Sequence, residues 1–187
     1  LWYGWPRYAA CVMIWYRAML RPFEGIALRK EDVLLPRHLG GDQKVVVRIL
    51  SPKTRHVGAR RQYVKIDDIW AVKLAVALVS SLQMNGPLFK GSAGAFAYRW
   101  TVPLKALGLE GLDLTIGGLR TGGATFLFEE LDEDLLRVGW RGRWLNMKNL
   151  EIYVQELQPN FILTSLSDDI PCPSTFFALS AIPDSRA

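Results

Sequence analysis

The most informative segments of this chain of 187 residues read Leu119-Arg120-Thr121-Gly122-Gly123-Ala124-Thr125, then Arg141-Gly142-Arg143-Trp144, and finally Glu151-Ile152-Tyr153. Apolar residues recur around them at helical spacing, and short polar turns separate the runs. Helices are therefore predicted over 118–130, 134–138 and 146–157. The chain beyond residue 115 is expected to be mainly helical up to Pro159, after which three further prolines predict an irregular tail.

The N-terminal part of the chain has a different pattern. Residues 9–20 are apolar nearly all round, which predicts a helix buried inside a domain. Pro22 interrupts it, and 23–28 can form a second short helix. Three strands then follow, because Val45-Val46-Val47 is the strongest β-branched run in the chain and Gly40-Gly41-Asp42 is a hairpin signal. The predicted strands are 33–39, 44–50 and 62–66.

The period changes again after residue 66. Asp67 or Asp68 is predicted to cap a helix that runs to about Met84, with Ile69, Val72, Val76 and Leu82 contributing to its apolar face. Another helix is predicted over 93–107. The fold class is therefore α+β, mainly helical, with a small antiparallel sheet near the N-terminal end. No glycine-rich loop follows a strand as a Rossmann unit or a P-loop requires.

The composition of the chain bears on whether it binds polyanions, holds a zinc ion, contains disulfides or spans a membrane. The formal net charge is +5 and half of the residues are hydrophobic, which suits a globular domain with a polyanionic partner. Cys11 and Cys172 lack metal-ligand spacing, and His38 and His56 are the two histidines, so neither a zinc site nor a disulfide framework is expected. The uncharged stretch over 8–16 is too short to span a membrane.

Two segments in the N-terminal half of the chain carry further charged residues at informative spacings. Arg21 is followed three positions later by Glu24 and eleven positions later by Asp32, which opens the predicted sheet. Ser51-Pro52-Lys53-Thr54-Arg55 lies between two predicted strands. In the C-terminal half, Trp144 stands nine positions before Tyr153. Over residues 8–158 this order and spacing resembles the catalytic domain of the tyrosine recombinase (phage integrase) family.

The resemblance implies DNA strand cleavage and rejoining in site-specific recombination or integration, with no cofactor and no metal. A tyrosine attacks a DNA phosphate and forms a 3′-phosphotyrosine, while two guanidiniums stabilise the charge that develops on the non-bridging oxygens. A lysine protonates the departing 5′ oxygen. The catalytic residues that it implies are Arg21, Lys53, Arg120, Trp144 and Tyr153.

Three further basic residues are candidates for gripping DNA phosphates without reading bases: Arg55, Arg141 and Arg143. The implied partner is double-stranded DNA, with self-association on DNA and without a membrane or a small-molecule cofactor. The resemblance further implies a protein of a mobile element that resides where DNA is, in the nucleus of a eukaryote or the cytoplasm of a bacterium. Residues 1–158 are expected to form the catalytic domain, without the family's N-terminal clamp domain, and 159–187 a tail.

One position departs from the family pattern. Three residues before Arg120, where the family has histidine or lysine, this chain has Gly117. Glycine transfers no proton, and the loss of such assistance typically lowers a rate about 10²–10⁴-fold. Two alternatives therefore remain open beside an active recombinase. One is a DNA-binding descendant that has lost turnover, and the other is a protein-interaction module that uses some of the seven tryptophans as anchors.

Overall fold

A computed structural model describes residues 4–112 and 114–154 of the chain. This part contains seven α-helices and three β-strands. The helices are α1 (Pro6–Arg17), α2 (Pro22–Ala27), α3 (Ile69–Ser80), α4 (Ala93–Ala106), α5 (Gly118–Glu130), α6 (Leu135–Gly142) and α7 (Met147–Tyr153). The strands are β1 (Val33–Leu34), β2 (Val45–Ile49) and β3 (Gln62–Ile66). The predicted α+β class is confirmed. The predicted tail and Cys172 lie outside the described residues.

The sheet is antiparallel in the order β1-β2-β3, with Val47 opposite both Val33 and Val64. Every second residue of β2 is buried, as the β-branched run predicts. The first predicted strand was too long, since only two residues pair and Pro36–His38 forms a 3₁₀ turn. Proline has no N–H for a ladder, and His38 Nδ1 accepts the N–H of Leu35 at 3.1 Å, which stabilises the turn instead.

The centre of the core is α1, which packs against α3 and α5. Ile14 and Trp15 are fully buried, and the Trp15 ring stacks on Phe96 with centroids 4.0 Å apart. The helix predicted there is confirmed, with its start shifted to Pro6. A Cβ atom on Gly123 would lie 2.1 Å from the carbonyl oxygen of Tyr16, so glycine is required for α5 to lie this close to α1. The middle of α5 is thereby fixed against the end of α1.

Asp68, rather than Asp67, caps α3, and its carboxylate accepts the N–H of Ala71 at 2.7 Å. The helix ends at Ser80, short of Met84. Ile69 is 45% exposed, so the prediction that it joins the apolar face is wrong, while Val72 and Leu82 are buried as predicted. Helix α6 runs to Gly142, beyond the predicted end. Within residues 4–112 and 114–154, none of the helices has both the length and the hydropathy needed to cross a bilayer.

Candidate active site

Arg120 lies in the first turn of α5 and is 5% exposed. Its guanidinium donates to the carbonyl oxygen of Gly142 at 2.8 Å and to that of Met19. The plane of the guanidinium covers the Trp144 ring, with Cζ 3.9 Å from the ring centroid. A buried arginine needs partners of this kind because an unpaired charge in the interior is costly. Arg120 is therefore held rigidly between the ends of α1 and α6.

Both of these helices end in the same way. The N–H groups of Leu20 and Trp144 bond back to Trp15 and Gly139, which closes a Schellman motif after each helix. The residue that turns the chain is usually glycine, but here Met19 has φ +47° and Arg143 has φ +64°. Each such residue costs about 1–3 kcal/mol in backbone strain. The two turns meet, because the Arg143 guanidinium donates to the Met19 oxygen at 3.1 Å.

Arg21 and Glu24 lie at the start of α2. Pro22 opens that helix, and the Glu24 carboxylate accepts the backbone N–H of Arg21 at 3.0 Å and its guanidinium at 3.0 Å. The Glu24 side chain is fully buried, whereas that of Arg21 is 20% exposed. Because Glu24 lies three residues after Arg21, it contacts Arg21 directly and holds this arginine at the rim of the site.

Arg143 joins this pair. Its Nη2 atom lies 3.1 Å from Glu24 Oε2, and its Nη1 atom lies 3.2 Å from Gln62 Oε1 on β3. The side chain is 7% exposed. Sequence reasoning placed Arg143 as a DNA contact and missed this position inside the cluster. The contact with DNA stays a prediction. No local spacing could have signalled this position, because Arg143 and Glu24 lie 119 residues apart in the sequence.

We call Arg21, Glu24, Arg120 and Arg143 the arginine cluster. Burial, and then the charges of Arg21 and Arg143, lower the pKa of Arg120 to about 9. Burial alone would raise the pKa of Glu24, but Arg143 and the Arg21 backbone N–H outweigh it and hold that pKa below its usual value. Two guanidiniums, those of Arg21 and Arg143, thus pair with the one carboxylate, and the third, Arg120, lies near enough to feel its charge. The surplus positive charge favours binding of an anion such as a phosphate.

Trp144 and Tyr153 complete the arrangement. Asn146 caps α7 by accepting the N–H of Lys148 at 3.0 Å, and α7 ends at Tyr153. The ring centroids of Trp144 and Tyr153 are 5.7 Å apart, and Tyr153 is 38% exposed. Thr125 of α5 donates to the Tyr153 carbonyl oxygen at 3.4 Å. The tyrosine therefore lies beside the indole that stacks on Arg120, with part of its ring open to solvent.

The remaining predicted residues lie outside the arginine cluster. Lys53 and Arg55 are exposed in the connection between β2 and β3. Within the described chain no hydrogen bond or ion pair joins either of them to the cluster. Gln62 links the connection indirectly, because its Nε2 donates to Thr54 Oγ1 at 3.0 Å. Arg141 instead forms an ion pair with Asp67 at 2.5 Å.

Gly117 precedes α5 with φ −64° and ψ −31°, a right-handed conformation that any residue adopts. A Cβ atom there would meet only the Thr115 hydroxyl, at 3.3 Å. The backbone therefore does not require glycine at this position. Among residues 4–112 and 114–154, no group of three histidine, cysteine, aspartate or glutamate side chains is placed to hold a metal ion.

The low pKa of Glu24 predicts an acid-sensitive contribution to stability. Because the folded-state pKa lies below the ordinary 4.5, this contribution is complete above about pH 4.5 and is lost as the pH falls through the lower, folded-state value. We expect Glu24→Gln to lower the free energy of unfolding at pH 7 and to have a smaller effect at pH 3. Urea unfolding at both pH values measures this. Exposed Glu110→Gln is the matched control, and an equal loss at both pH values in Glu24→Gln would contradict the prediction.

The fold is similar to two solved structures of XerH site-specific recombinase bound to difH substrate, one in a post-cleavage complex with a palindromic substrate and one in a pre-cleavage complex. The TM-scores are 0.63 and 0.62 at 15% identity, and both matches cover 85% of this chain. The chain spans 45% and 46% of the XerH chains, less than half of their length. No protein-family model and no curated protein matches the sequence. The predicted tyrosine-recombinase-like α+β fold is confirmed.

Proposed function

We propose that this chain cleaves and rejoins DNA strands through a 3′-phosphotyrosine at Tyr153, in site-specific recombination or DNA integration. The observation that carries the proposal is the succession of Arg120, Trp144 and Tyr153. A buried guanidinium stacks on an indole at 3.9 Å, and the same indole lies beside a partly exposed tyrosine. An arginine-bound phosphate would therefore lie near a hydroxyl nucleophile. Similarity of fold to recombinase complexes with DNA supports the same assignment.

The proposed chemistry is a transesterification in which no high-energy cofactor is consumed. The Tyr153 oxygen attacks phosphorus and gives its proton to solvent water, while the bond from phosphorus to the 5′ oxygen breaks. Arg120 and Arg21 donate to the non-bridging oxygens, where negative charge develops. Lys53 gives a proton to the departing 5′ oxygen. Attack by a 5′ hydroxyl then reverses these steps, restores the phosphodiester and releases Tyr153.

The partner is proposed to be double-stranded DNA, whose phosphates are gripped by Arg21, Arg55, Arg120 and Arg141. Self-association on paired DNA sites and an intracellular location, where DNA is, follow from the same proposal. Because phosphate contacts dominate the affinity, binding should weaken steeply as salt is added. This chain spans less than half of the XerH recombinases. For this chain we therefore propose strand cleavage and rejoining, and complete recombination between paired sites is proposed only together with further protein segments.

Gly117 favours a second function, which is DNA binding without strand cleavage. If no other residue supplies the proton transfer that a histidine or lysine would provide at this position, the arginine cluster would bind DNA without turnover. A third is favoured by two exposed tryptophans, Trp70 at 51% and Trp140 at 87%, which suit a protein-interaction surface. A covalent assay separates the first function from the other two, and DNA binding at low salt separates the second from the third.

The experiment is a suicide-substrate assay with a pool of nicked random duplexes at low salt, read as a covalent protein–DNA adduct on a denaturing gel. We expect an adduct with the unchanged chain and none with Tyr153→Phe, because phenylalanine lacks the attacking oxygen. Tyr98→Phe removes a hydroxyl from a tyrosine on α4 that is 70% exposed, and it should form the adduct normally. An adduct that persists in Tyr153→Phe would exclude this tyrosine as the nucleophile.

A further inference from the structure

Arg143 is the residue at which three segments of the site meet. Its Nη2 donates to Met19 O and to Glu24 Oε2, both at 3.1 Å. Its Nη1 donates to Gln62 Oε1 at 3.2 Å and to Glu24 Oε1 at 3.4 Å. All four terminal N–H groups of the guanidinium are therefore used within the protein. This residue is more deeply enclosed than Arg21, with 7% of its side chain exposed against 20%.

Each of these contacts leads to a predicted catalytic side chain. Glu24 holds the backbone and the guanidinium of Arg21. The carbonyl oxygen of Met19 also accepts from Arg120. Gln62 donates in turn to Thr54, the neighbour of Lys53. One side chain thus connects the rim arginine, the buried arginine and the connection that carries the lysine.

The backbone of Arg143 supports a role for its side chain. At φ +64° glycine would be unstrained, yet an arginine occupies the position. The turn does not require a large residue there, because the same Schellman geometry forms with glycine in many helices. The guanidinium contacts therefore offset the backbone strain. A planar fork whose two terminal nitrogens donate to four acceptors suits this position, whereas a lysine offers a single point charge.

We propose that Arg143 is a positioning residue that sets Arg21, Arg120 and the Lys53 connection as one phosphate-binding unit. This inference deepens the proposed function, since it concerns the same site. Its action is indirect. Arg143 orients the groups that bind phosphate through Glu24, Met19 and Gln62, and it has no terminal N–H left for the phosphate itself.

The test compares Arg143→Gly with the unchanged chain, because glycine keeps the left-handed turn while removing the guanidinium. The probe is inorganic phosphate, titrated while the guanidinium NMR signals of Arg21 and Arg120 are followed. We expect the phosphate affinity to fall about tenfold to a hundredfold, the range known for residues that orient the ligands of a bound metal ion. Glu133→Gly is the matched control, since Glu133 is exposed and also left-handed at φ +63°.

Two further measurements exclude a merely structural effect. Millimolar guanidinium ion should restore phosphate binding to Arg143→Gly, whereas methylammonium, which lacks the fork, should not. Arg143→Lys should keep the fold and bind phosphate as weakly as the glycine variant. Equal phosphate affinity in Arg143→Gly and the unchanged chain would overturn the proposal, and so would rescue by both cations alike.

The suicide-substrate assay, run on the same proteins, separates this proposal from the proposed function. Phosphate binding that depends on Arg143, without any adduct in the unchanged chain, supports the positioning role and contradicts strand cleavage. An adduct that forms at the same rate in Arg143→Gly supports strand cleavage and overturns the positioning role. If the unchanged chain binds no phosphate at the arginine cluster, the positioning role fails, and strand cleavage fails with it when no adduct forms either.

Discussion

Replacing Arg120 by lysine is expected to slow formation of the tyrosyl–DNA adduct about 10²–10³-fold, the loss typical of removing one preorganised donor from an oxyanion site. Lysine keeps the charge but lacks the flat fork. Its single ammonium cannot donate to both Met19 and Gly142, cover the Trp144 ring and face a phosphate at once. Single-turnover kinetics on the suicide substrate measure the rate.

The same change should reduce stability, because the buried Gly142 carbonyl loses its donor, at a cost of about 1–3 kcal/mol. Arg99→Lys is the matched control. The Arg99 guanidinium also lies over an aromatic ring, 5.2 Å from the centroid of Trp5, but it takes no part in the arginine cluster. We expect its adduct rate to be unchanged. A rate that stays equal in Arg120→Lys would show that Arg120 does not bind the reacting phosphate.

The sequence predicts those parts of the site that depend on local spacing. Glu24 reaches Arg21 because the two lie three residues apart at a helix start. The limits predicted for α5 match the structure, and the eight residues between Trp144 and Tyr153 include the cap and nearly all of α7. These relations are set by helix geometry, so a pattern of residue types is sufficient to find them.

The remaining relations arise from tertiary packing. Arg120 was predicted as a phosphate ligand, but its burial and its stacking on Trp144 depend on two turns that are distant in sequence. The role of Arg143 was missed because its partners come from three separate segments, and because arginine is an unusual residue for a left-handed turn. The first strand was predicted too long because the 3₁₀ turn at Pro36 competes with sheet pairing.

Replacing Gly117 by histidine is expected to accelerate adduct formation about 10²-fold or more, because an imidazole at this position can assist proton transfer. The structure permits the change. The backbone is right-handed at φ −64°, and the added Cβ would meet only a side-chain hydroxyl that can rotate away. The increase in adduct rate should change with pH around 6.5, the usual pKa of a histidine, because the added imidazole titrates there. Adduct rates measured between pH 5 and pH 8 test both expectations.

Gly118→His is the matched control, since a Cβ on Gly118 meets no atom within 4 Å and the residue is exposed. The result also decides between the functions. An adduct formed by Gly117→His but not by the unchanged chain would identify a DNA-binding descendant in which the loss of one side chain abolished turnover. Comparable rates in both would mean that the arginine cluster already supplies what the family histidine provides. An increase shared by Gly118→His would contradict a specific role for position 117, because an imidazole one residue further along would act equally well.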